Sequence, residues 1–275
     1  MANPPKAVIF DIGGVVLPSP IIAIRRYEKK FSLPQDYLNV QISSRGHDGA
    51  WQKFERGEIR NVYHFYEAFG RELSDTERGN IWYTQYMKKR NIPLGSVALP
   101  TKLKVDGREL FGMMMRGNTQ YDEVVVEAIH RIRASKKYLV IALTNNFFAP
   151  YENILATPPS GDFNPESELA FLGWADSPLP QATRDLFDDF VDSSRVGMRK
   201  PEPGIYLLAC QRNGLRPEET VMLDDIGLNL KAAQSLGMRT IHVPIGGSTL
   251  AIKQLRADLR IPLIANSGLD SKHRM

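Results

Sequence analysis

Short apolar runs rich in β-branched residues recur along the chain and are typical of buried strands. They lie at 7–10, 138–143, 190–192, 221–223 and 240–243. Between the later runs, apolar residues recur at helical spacing over 201–213 and at Leu228, Ala232 and Leu236. Strands that alternate with helices in this way predict an α/β fold, in which helices cover both faces of a Rossmann-like parallel sheet.

The long segment after the first strand carries helix signals and few strand signals. Ser19 and Pro20 form a cap and a first-turn proline ahead of a helix over 21–31. Residues 74–77, SDTE, have the pattern of a capping box ahead of a helix over 81–89. We therefore predict an α-helical cap subdomain inserted after the first strand.

These patterns divide the chain into a core and an insertion. The core comprises 1–16 and 119–275, and the helical cap comprises 17–118. Mixed signals over 92–118 predict irregular structure at the end of the cap. The prolines and serines of 157–181 predict an irregular flap or loop within the core.

Composition agrees with a globular protein and restricts its partners. Of the 275 residues, 43% are hydrophobic, and 35 basic against 31 acidic residues leave a net charge of +4. The basic residues are scattered, so a nucleic-acid partner is not expected. Cys210 is the single cysteine, which excludes an intrachain disulfide. Since we find no signal-peptide pattern and no apolar run of membrane-spanning length, we expect a soluble, cytoplasmic protein.

Polar and charged side chains stand where predicted strands end. Asp11 follows the first strand, Thr144 the second, and Asp224 and Asp225 the fourth. Lys200 stands just ahead of a predicted helix. The carboxyl ends of parallel strands meet at one edge of a sheet, where such folds bind their ligands. Carboxylates, a hydroxyl and a lysine gathered at that edge predict a phosphoryl-transfer site.

The residue types suggest how such a site works. Asp11 and Asp225 can hold a divalent hard cation, which prefers oxygen ligands. The cation offsets repulsion between the Asp11 carboxylate and an anionic phosphate, so Asp11 can attack phosphorus and form an aspartyl-phosphate. Thr144 and backbone amides would bind phosphoryl oxygens, and Lys200 would neutralise charge on the nucleophile and the phosphate.

Four segments resemble, in order, the four motifs of the haloacid dehalogenase (HAD) superfamily. They read FDIGGVV, LTNN, GMRKPEPGIY and MLDDIGLNLKAAQSLGM. The last two are similar to the N-terminal phosphatase domain of soluble epoxide hydrolases, and the first is similar to the HAD domain of acyl-CoA dehydrogenase fusion proteins. A single motif is modest support for a family, whereas four in order are strong support.

The resemblance implies a role for each motif residue. Asp11 would be the nucleophile and a Mg²⁺ ligand, the Gly13 carbonyl a second ligand and Asp225 a third. Asp224 would act through water or neighbouring contacts, and Asn229 would steady its loop or touch the phosphate. The helical insertion matches a cap that closes over the site and selects the substrate.

Other residues are weaker candidates for contact with the substrate. Gly14 follows the nucleophile loop and joins the substrate-binding set. Asn145 and Asn146 suit a turn as well as a substrate contact. His47 lies in a glycine-flanked loop of the cap, within SSRGHDGAW, and is a candidate contact. His64 is a weaker candidate that also suits a helix surface.

Gly13 departs from the usual pattern of phosphatases in this family, which have a second aspartate there. That aspartate protonates the leaving oxygen and later activates water, and glycine can do neither. Three consequences stay open. The chain has lost activity, or its leaving group needs little protonation (as in a phosphoanhydride or anomeric phosphate), or His47 or His64 of the cap supplies the acid.

The sequence therefore predicts a Mg²⁺-dependent phosphohydrolase that acts on a small organic phosphate or pyrophosphate. The epoxide hydrolase resemblance adds lipid or isoprenoid phosphates as a substrate class. The alternatives are a 2-haloacid dehalogenase-type hydrolase, which needs no magnesium, and a catalytically weak HAD-like binding module. The expected partner is a small phosphorylated molecule, with no nucleic acid and no membrane insertion, and the oligomeric state stays open.

Overall fold

The computed structural model of the chain describes residues 5–93, 95, 97–117, 120–147, 165–174 and 179–263. Its strands are β1 (Ala7–Phe10), β2 (Leu139–Thr144), β3 (Asp189–Asp192), β4 (Thr220–Asp224) and β5 (Arg239–His242). Each predicted strand is confirmed, and no strand end differs from its prediction by more than one residue.

The strands form one parallel sheet in the order β3-β2-β1-β4-β5. In its register, Phe10 at the end of β1 lies beside Ala142 of β2 and Leu223 of β4. Asp11 extends this pairing, since its N–H donates to Leu223 O at 2.9 Å. The three central strands therefore end close to one level, which brings Asp11 and Thr144 to the same edge of the sheet.

Helices connect and cover these strands. Before β2 they are α1 (Pro20–Lys30), α2 (Tyr37–Ser44), α3 (Ala50–Glu55), α4 (Val62–Leu73), α5 (Thr76–Lys89), α6 (Gly107–Arg116) and α7 (Glu123–Ser135). After β2 they are α8 (Pro165–Leu172), α9 (Gln181–Arg184), α10 (Ser193–Val196), α11 (Pro203–Arg212), α12 (Gly227–Ser235) and α13 (Ser248–Leu259). Short 3₁₀ turns span Gly46–Asp48 and Pro217–Glu219.

Both faces of the sheet are buried, which explains the continuous apolar character of its strands. On one face, Val8 and Phe10 of β1 pack against α7 and α13. On the other face, Ala7 and Ile9 pack against α11 and α12. The predicted helix-covered parallel sheet is therefore confirmed.

Helices α1–α6 form the cap subdomain, which has a hydrophobic core of its own. Aromatic rings fill this core: Phe54 stacks on Phe65 with centroids 4.1 Å apart, and Phe111 meets Phe65 edge-on at 5.1 Å. Phe147, three residues after β2, stacks on Phe54 at 5.0 Å. The cap core therefore extends down to the carboxyl edge of the sheet.

The prediction that 92–118 is irregular is wrong for its second half. Residues Gly107–Arg116 form α6, which buries Leu110, Phe111 and Met114 in the cap core. Asp106 caps this helix by accepting the N–H of Glu109 at 2.9 Å. The helix is only 10 residues long, and its burial depends on packing against α1 and α4, which sequence periodicity does not reveal.

The predicted irregular segment 157–181 also contains a helix, α8, while 157–164 and 175–178 lie outside the described residues. Glu168 of α8 is buried and accepts hydrogen bonds from the Arg108 guanidinium and the Tyr66 hydroxyl of the cap. Contacts with side chains distant in sequence therefore hold α8 in place, and the local sequence does not predict this helix.

Two smaller expectations need correction. Asp75, not Ser74, caps α5, since its side chain accepts the N–H of Arg78 at 3.1 Å. On α12, Leu228 is 64% exposed, and Leu230 and Ala233 face the core instead.

Among the described helices, none combines the length and apolar character needed to cross a lipid bilayer.

Replacing Gly107 with alanine should destabilise the cap. Helices α4 and α6 approach so closely that a Cβ at Gly107 would collide with Tyr66 O and come within 2.8 Å of Gly70 N. We expect a loss of about 1–3 kcal/mol in urea unfolding. Gly227→Ala is the matched control, because no atom of the described residues lies within 4 Å of its added Cβ. Equal stability of the two variants would contradict the close packing of these helices.

Candidate active site

Lys200 lies at the centre of a buried charge cluster at the carboxyl edge of the sheet. Its Nζ is 2.8 Å from Asp11 Oδ1 and 2.7 Å from Asp224 Oδ2, and its side chain is fully buried. Burial acts to lower the pKa of the Lys200 ammonium, but the two carboxylates outweigh it and the pKa is raised. The lysine is therefore a fixed positive charge between β1 and β4.

Asn145 holds the backbone of Lys200. Its Nδ2 donates to Lys200 O at 3.0 Å, and its Oδ1 accepts Lys200 N–H at 2.8 Å. This pair of hydrogen bonds ties the loop after β2 to the lysine, across 55 residues of sequence. The structure thus gives Asn145 a positioning contact that the LTNN segment alone did not indicate.

Asp224 has its carboxylate engaged by the protein itself. Besides Lys200 it accepts the N–H of Ile226 at 2.8 Å and the Asn229 amide at 3.0 and 3.1 Å. Asn229 is buried and steadies this loop, one of the two roles expected for it. These contacts suit Asp224 to orienting the lysine rather than to direct reaction.

Asp225 and Asp11 are less fully engaged. Asp225 Oδ2 accepts a hydrogen bond from the Ser19 hydroxyl at 2.9 Å. Asp11 Oδ1 accepts Ile12 N–H at 2.7 Å as well as the lysine, whereas no hydrogen bond between described residues reaches Asp11 Oδ2. An oxygen on each carboxylate is thereby left for a cation or a substrate.

Position 14 requires glycine, because the Asp225 carboxylate lies close to it and because its backbone is left-handed. Its φ is +89°, and a Cβ there would collide with the Asp225 carboxylate. Its N–H donates to Leu17 O at 2.7 Å, so this amide already has a partner within the loop after β1. Gly14 shapes the loop around Asp225, and its predicted place among the substrate contacts stays a prediction.

The donor set fits a divalent cation. Oxygens of Asp11, Asp224 and Asp225 all lie within 4.8 Å of one another. Burial, opposed by Lys200 and reinforced by the other two aspartates, raises the pKa of Asp11 well above its usual value. Burial also raises the pKa of Asp225 to about 6. Three crowded carboxylates against one ammonium leave excess negative charge, which a hard cation with oxygen ligands would balance.

The remaining candidates for substrate contact differ in their position relative to the cavity. Thr144 is buried at the end of β2 and lines the same cavity as Asp11. Asn146 is bound to Asp192 and Ser193 of the core, at 3.0 and 2.9 Å. His47 lies on the cavity wall but is exposed, with its carbonyl accepting a hydrogen bond from Arg56. Among cavity-lining residues His64 is absent, and it lies exposed on α4.

A cavity of about 680 Å³ opens between the cap and the carboxyl edge of the sheet. Asp11, Gly13, Thr144 and Asp225 line its floor. Its cap side is mainly apolar, with side chains of Ile21, Ile24, Ile42, Trp51, Met114 and Met115, and Trp174, which follows α8, adds to this apolar wall. Such a cavity accepts a molecule with a polar end against the sheet and an apolar body under the cap.

Sequence reasoning missed three residues around this site. The sequence predicts Ser19 as a helix cap, yet its side chain makes no capping hydrogen bond and binds Asp225 instead. Arg199 and Glu55 both line the cavity and form an ion pair at 2.6 Å. Adjacency to Lys200 could have drawn attention to Arg199, whereas nothing in the sequence pairs it with Glu55.

Comparison with known families agrees with this geometry. A model described as hydrolase, haloacid dehalogenase-like hydrolase, matches residues 5–237. The chain belongs to this family. The HAD-like α/β fold and the hydrolase class that the four ordered motifs predicted are therefore confirmed.

Curated relatives share part of their length with the chain. It is 34% identical over 259 residues to mouse acyl-CoA dehydrogenase family member 10, covering 94% of the chain and 19% of that protein. It is 27% identical to pig bifunctional epoxide hydrolase 2, covering 96% of the chain and 40% of that protein. The chain thus spans well under half the length of either relative. Both protein groups were expected from the motifs.

A shorter match joins the chain to a bacterial enzyme. It is 35% identical over 78 residues to the fructose-1-phosphate phosphatase YqaB of Escherichia coli, covering 28% of the chain and 37% of that protein.

Removing the central lysine should strongly destabilise the HAD-like fold. Lys200→Met leaves Asp11 and Asp224 buried without their cation, a loss we expect to cost about 3–5 kcal/mol in metal-free urea unfolding. Lys231→Met, on the exposed side of α12, should stay within about 0.5 kcal/mol of wild type. A small change in the free energy of unfolding of Lys200→Met would show that the Asp11–Lys200–Asp224 cluster contributes little to holding the strand ends together.

Proposed function

We propose that the chain is a Mg²⁺-dependent phosphohydrolase that acts through an aspartyl-phosphate on Asp11. The observation that carries this proposal is the buried Asp11–Lys200–Asp224 cluster, in which Asp11 lines the floor of an open cavity together with Asp225, while Lys200 and Asp224 are fully buried next to them. It combines a held carboxylate, a fixed cation and a site for a hard metal ion, which phosphoryl transfer needs.

Asp11 is the nucleophile in this proposal. Lys200 and Ile12 N–H hold its Oδ1, so the carboxylate has one orientation and its Oδ2 can attack phosphorus in line with the leaving oxygen. The phosphorus–leaving-group bond breaks as the Asp11–phosphorus bond forms. Water then hydrolyses the aspartyl-phosphate and regenerates the carboxylate.

Lys200 and Thr144 stabilise charge on the transferred group. The Lys200 ammonium, held by two carboxylates, cannot leave the site and offers fixed positive charge with no reorganisation. Between described residues, the Thr144 hydroxyl makes one long hydrogen bond, 3.4 Å, to Asn145 O, so it can also bind phosphoryl oxygens. Asp224 and Asn229 keep the lysine in place.

Asp11 and Asp225, with the Gly13 carbonyl, would hold Mg²⁺. When bound, the ion neutralises phosphate charge and offsets repulsion between the phosphate and Asp11. The Ser19 hydroxyl and the tight loop at Gly14 orient Asp225 toward this position.

The substrate class follows from the cavity. Apolar side chains dominate its cap side, which favours a phosphate ester or pyrophosphate with an apolar body, such as a lipid or isoprenoid phosphate. The name of the Escherichia coli relative adds sugar phosphates to the compounds worth testing. A 2-haloacid dehalogenase would not need the crowded carboxylates that this site contains.

The first experiment measures phosphate release from alkyl, isoprenyl and sugar phosphates and from pyrophosphates, with Mg²⁺ or EDTA. We expect Mg²⁺-dependent turnover, lost by about 10⁴-fold or more in Asp11→Asn. Within an alkyl phosphate series, kcat/KM should rise about fourfold for each added methylene that the cavity buries. Asp258→Asn, on the distant helix α13, is the control and should match wild type.

Other results would reject the proposal. Chloride release from 2-haloacids in EDTA would favour a dehalogenase. Mg²⁺ binding without phosphate release from any compound would favour a binding module.

Restoring an acid at Gly13 should test why glycine stands there. Among the described residues, a Cβ on Gly13 would meet Pro20 Cδ alone, at 3.7 Å, so the space accepts a side chain. We expect Gly13→Asp to raise kcat by about 10²–10⁴-fold for alkyl phosphates, whose leaving groups need protonation. Gly13→Asn, similar in size and unable to donate an acidic proton, should give no gain. An unchanged rate in Gly13→Asp would indicate that another group already supplies the acid.

A further inference from the structure

The C-terminal end of α3 is a point where the cap touches the catalytic edge of the core. Glu55, the last residue of α3, is only 4% exposed. Its Oε2 accepts a hydrogen bond from Arg199 Nε at 2.6 Å. Arg199 immediately precedes Lys200 in the chain. A cap carboxylate therefore binds the residue adjacent to the central lysine.

The backbone around Glu55 makes a second connection to the core. Glu55 O accepts the Ser193 hydroxyl at 2.5 Å, and the same hydroxyl oxygen accepts Asn146 N–H at 2.9 Å. Two residues further along, a Cβ on Gly57 would lie 2.6 Å from Ser194 O, which shows close backbone packing. The end of α3 thus contacts Ser193 and Ser194 at the start of α10, and Ser193 in turn binds the loop after β2.

The opposite charges of Glu55 and Arg199 favour the contact between the cap and the core. Burial raises the pKa of Glu55, while the Arg199 charge and, more weakly, the Lys200 charge act to lower it. If the cap lifted, Glu55 and Arg199 would each lose their charge partner in a partly apolar cavity. Closure of the cap and correct placement of the Arg199–Lys200 segment are therefore favoured together.

We propose that Glu55 is a positioning residue for Lys200. When the cap closes, the Glu55 carboxylate holds Arg199 and thereby fixes the next residue, Lys200, between Asp11 and Asp224. Cap closure then completes the charged site as well as covering it. The kinetic part of the test rests on the proposed phosphohydrolase function, and the exchange part does not.

A second buried ion pair provides a matched control. Glu168 of α8 is as buried as Glu55 and accepts hydrogen bonds from Nε and Nη2 of Arg108, the shortest at 2.8 Å. This pair joins the cap to α8, and neither residue lines the cavity. Both Glu55→Gln and Glu168→Gln remove a buried carboxylate charge that pairs with an arginine. Only the Glu55 pair is adjacent to Lys200.

The kinetic experiment is a double-mutant cycle on phosphate release. We expect Glu55→Gln and Arg199→Gln each to lower kcat about 10- to 100-fold, with KM changed less than about threefold, because a small displacement of a catalytic group lowers the rate. The double variant should be no slower than either single variant. Glu168→Gln should keep the wild-type kcat.

The second experiment needs no activity. Lys200 N–H donates to Asn145 Oδ1 at 2.8 Å, so its hydrogen exchange reports how firmly the lysine segment is held. We expect this amide to exchange about tenfold faster in Glu55→Gln than in wild type, and at the wild-type rate in Glu168→Gln. Both variants are compared at a temperature where each is fully folded.

The outcomes separate the two proposals. Additive kinetic effects, or equal exchange rates in the Glu55 and Glu168 variants, would overturn the role of Glu55. If wild type releases no phosphate from any compound, the proposed function fails, and the exchange rates alone decide whether Glu55 positions Lys200.

Discussion

The ion pairs of Lys200 are the interaction on which the site depends. A single ammonium joins the carboxylate that ends β1 to the carboxylate that ends β4, and no water is needed to bridge them. A buried lysine is tolerated only when opposite charges and hydrogen bonds replace its hydration. The surrounding structure meets that requirement through Asn145, which holds its backbone, and Asn229, which holds its partner Asp224. The ends of β1 and β4, the loop that carries Asn145, the helix that carries Asn229 and the ion pairs of Lys200 therefore depend on one another as one unit.

The cap is attached to this unit by two kinds of contact. Aromatic packing around Phe54 and Phe147 is apolar and tolerates small shifts, so it provides affinity between cap and core with little directional control. The ion pair between Glu55 and Arg199 is short and directional. The two contacts share one helix, α3, so the apolar packing and the charged pair hold the same element of the cap over the cavity.

Much of the site was predictable from the sequence because strand ends are easy to find. A buried parallel strand is a continuous apolar run, and the polar residue that terminates it has to lie at the carboxyl edge. Asp11, Thr144 and Asp224 were located in this way, and the four ordered motifs added Lys200. The helices α6 and α8 were not predictable in the same way, since their boundaries depend on contacts such as Glu168 with Arg108 and Tyr66. Local propensity in such short segments is weaker than the tertiary packing that decides them.

The sequence by itself determined the family, the sheet and the residues that meet at its edge, because apolar periodicity and ordered motifs are local properties. Only the tertiary structure decided how those residues are held. Asn145 binds a lysine 55 positions away, Ser19 binds Asp225 across 206 positions, and Glu55 binds Arg199 across 144. Such partners depend on how the cap and the sheet pack together. Their separation along the chain carries no signal, because any of several carboxylates, hydroxyls and amides could have been brought into range.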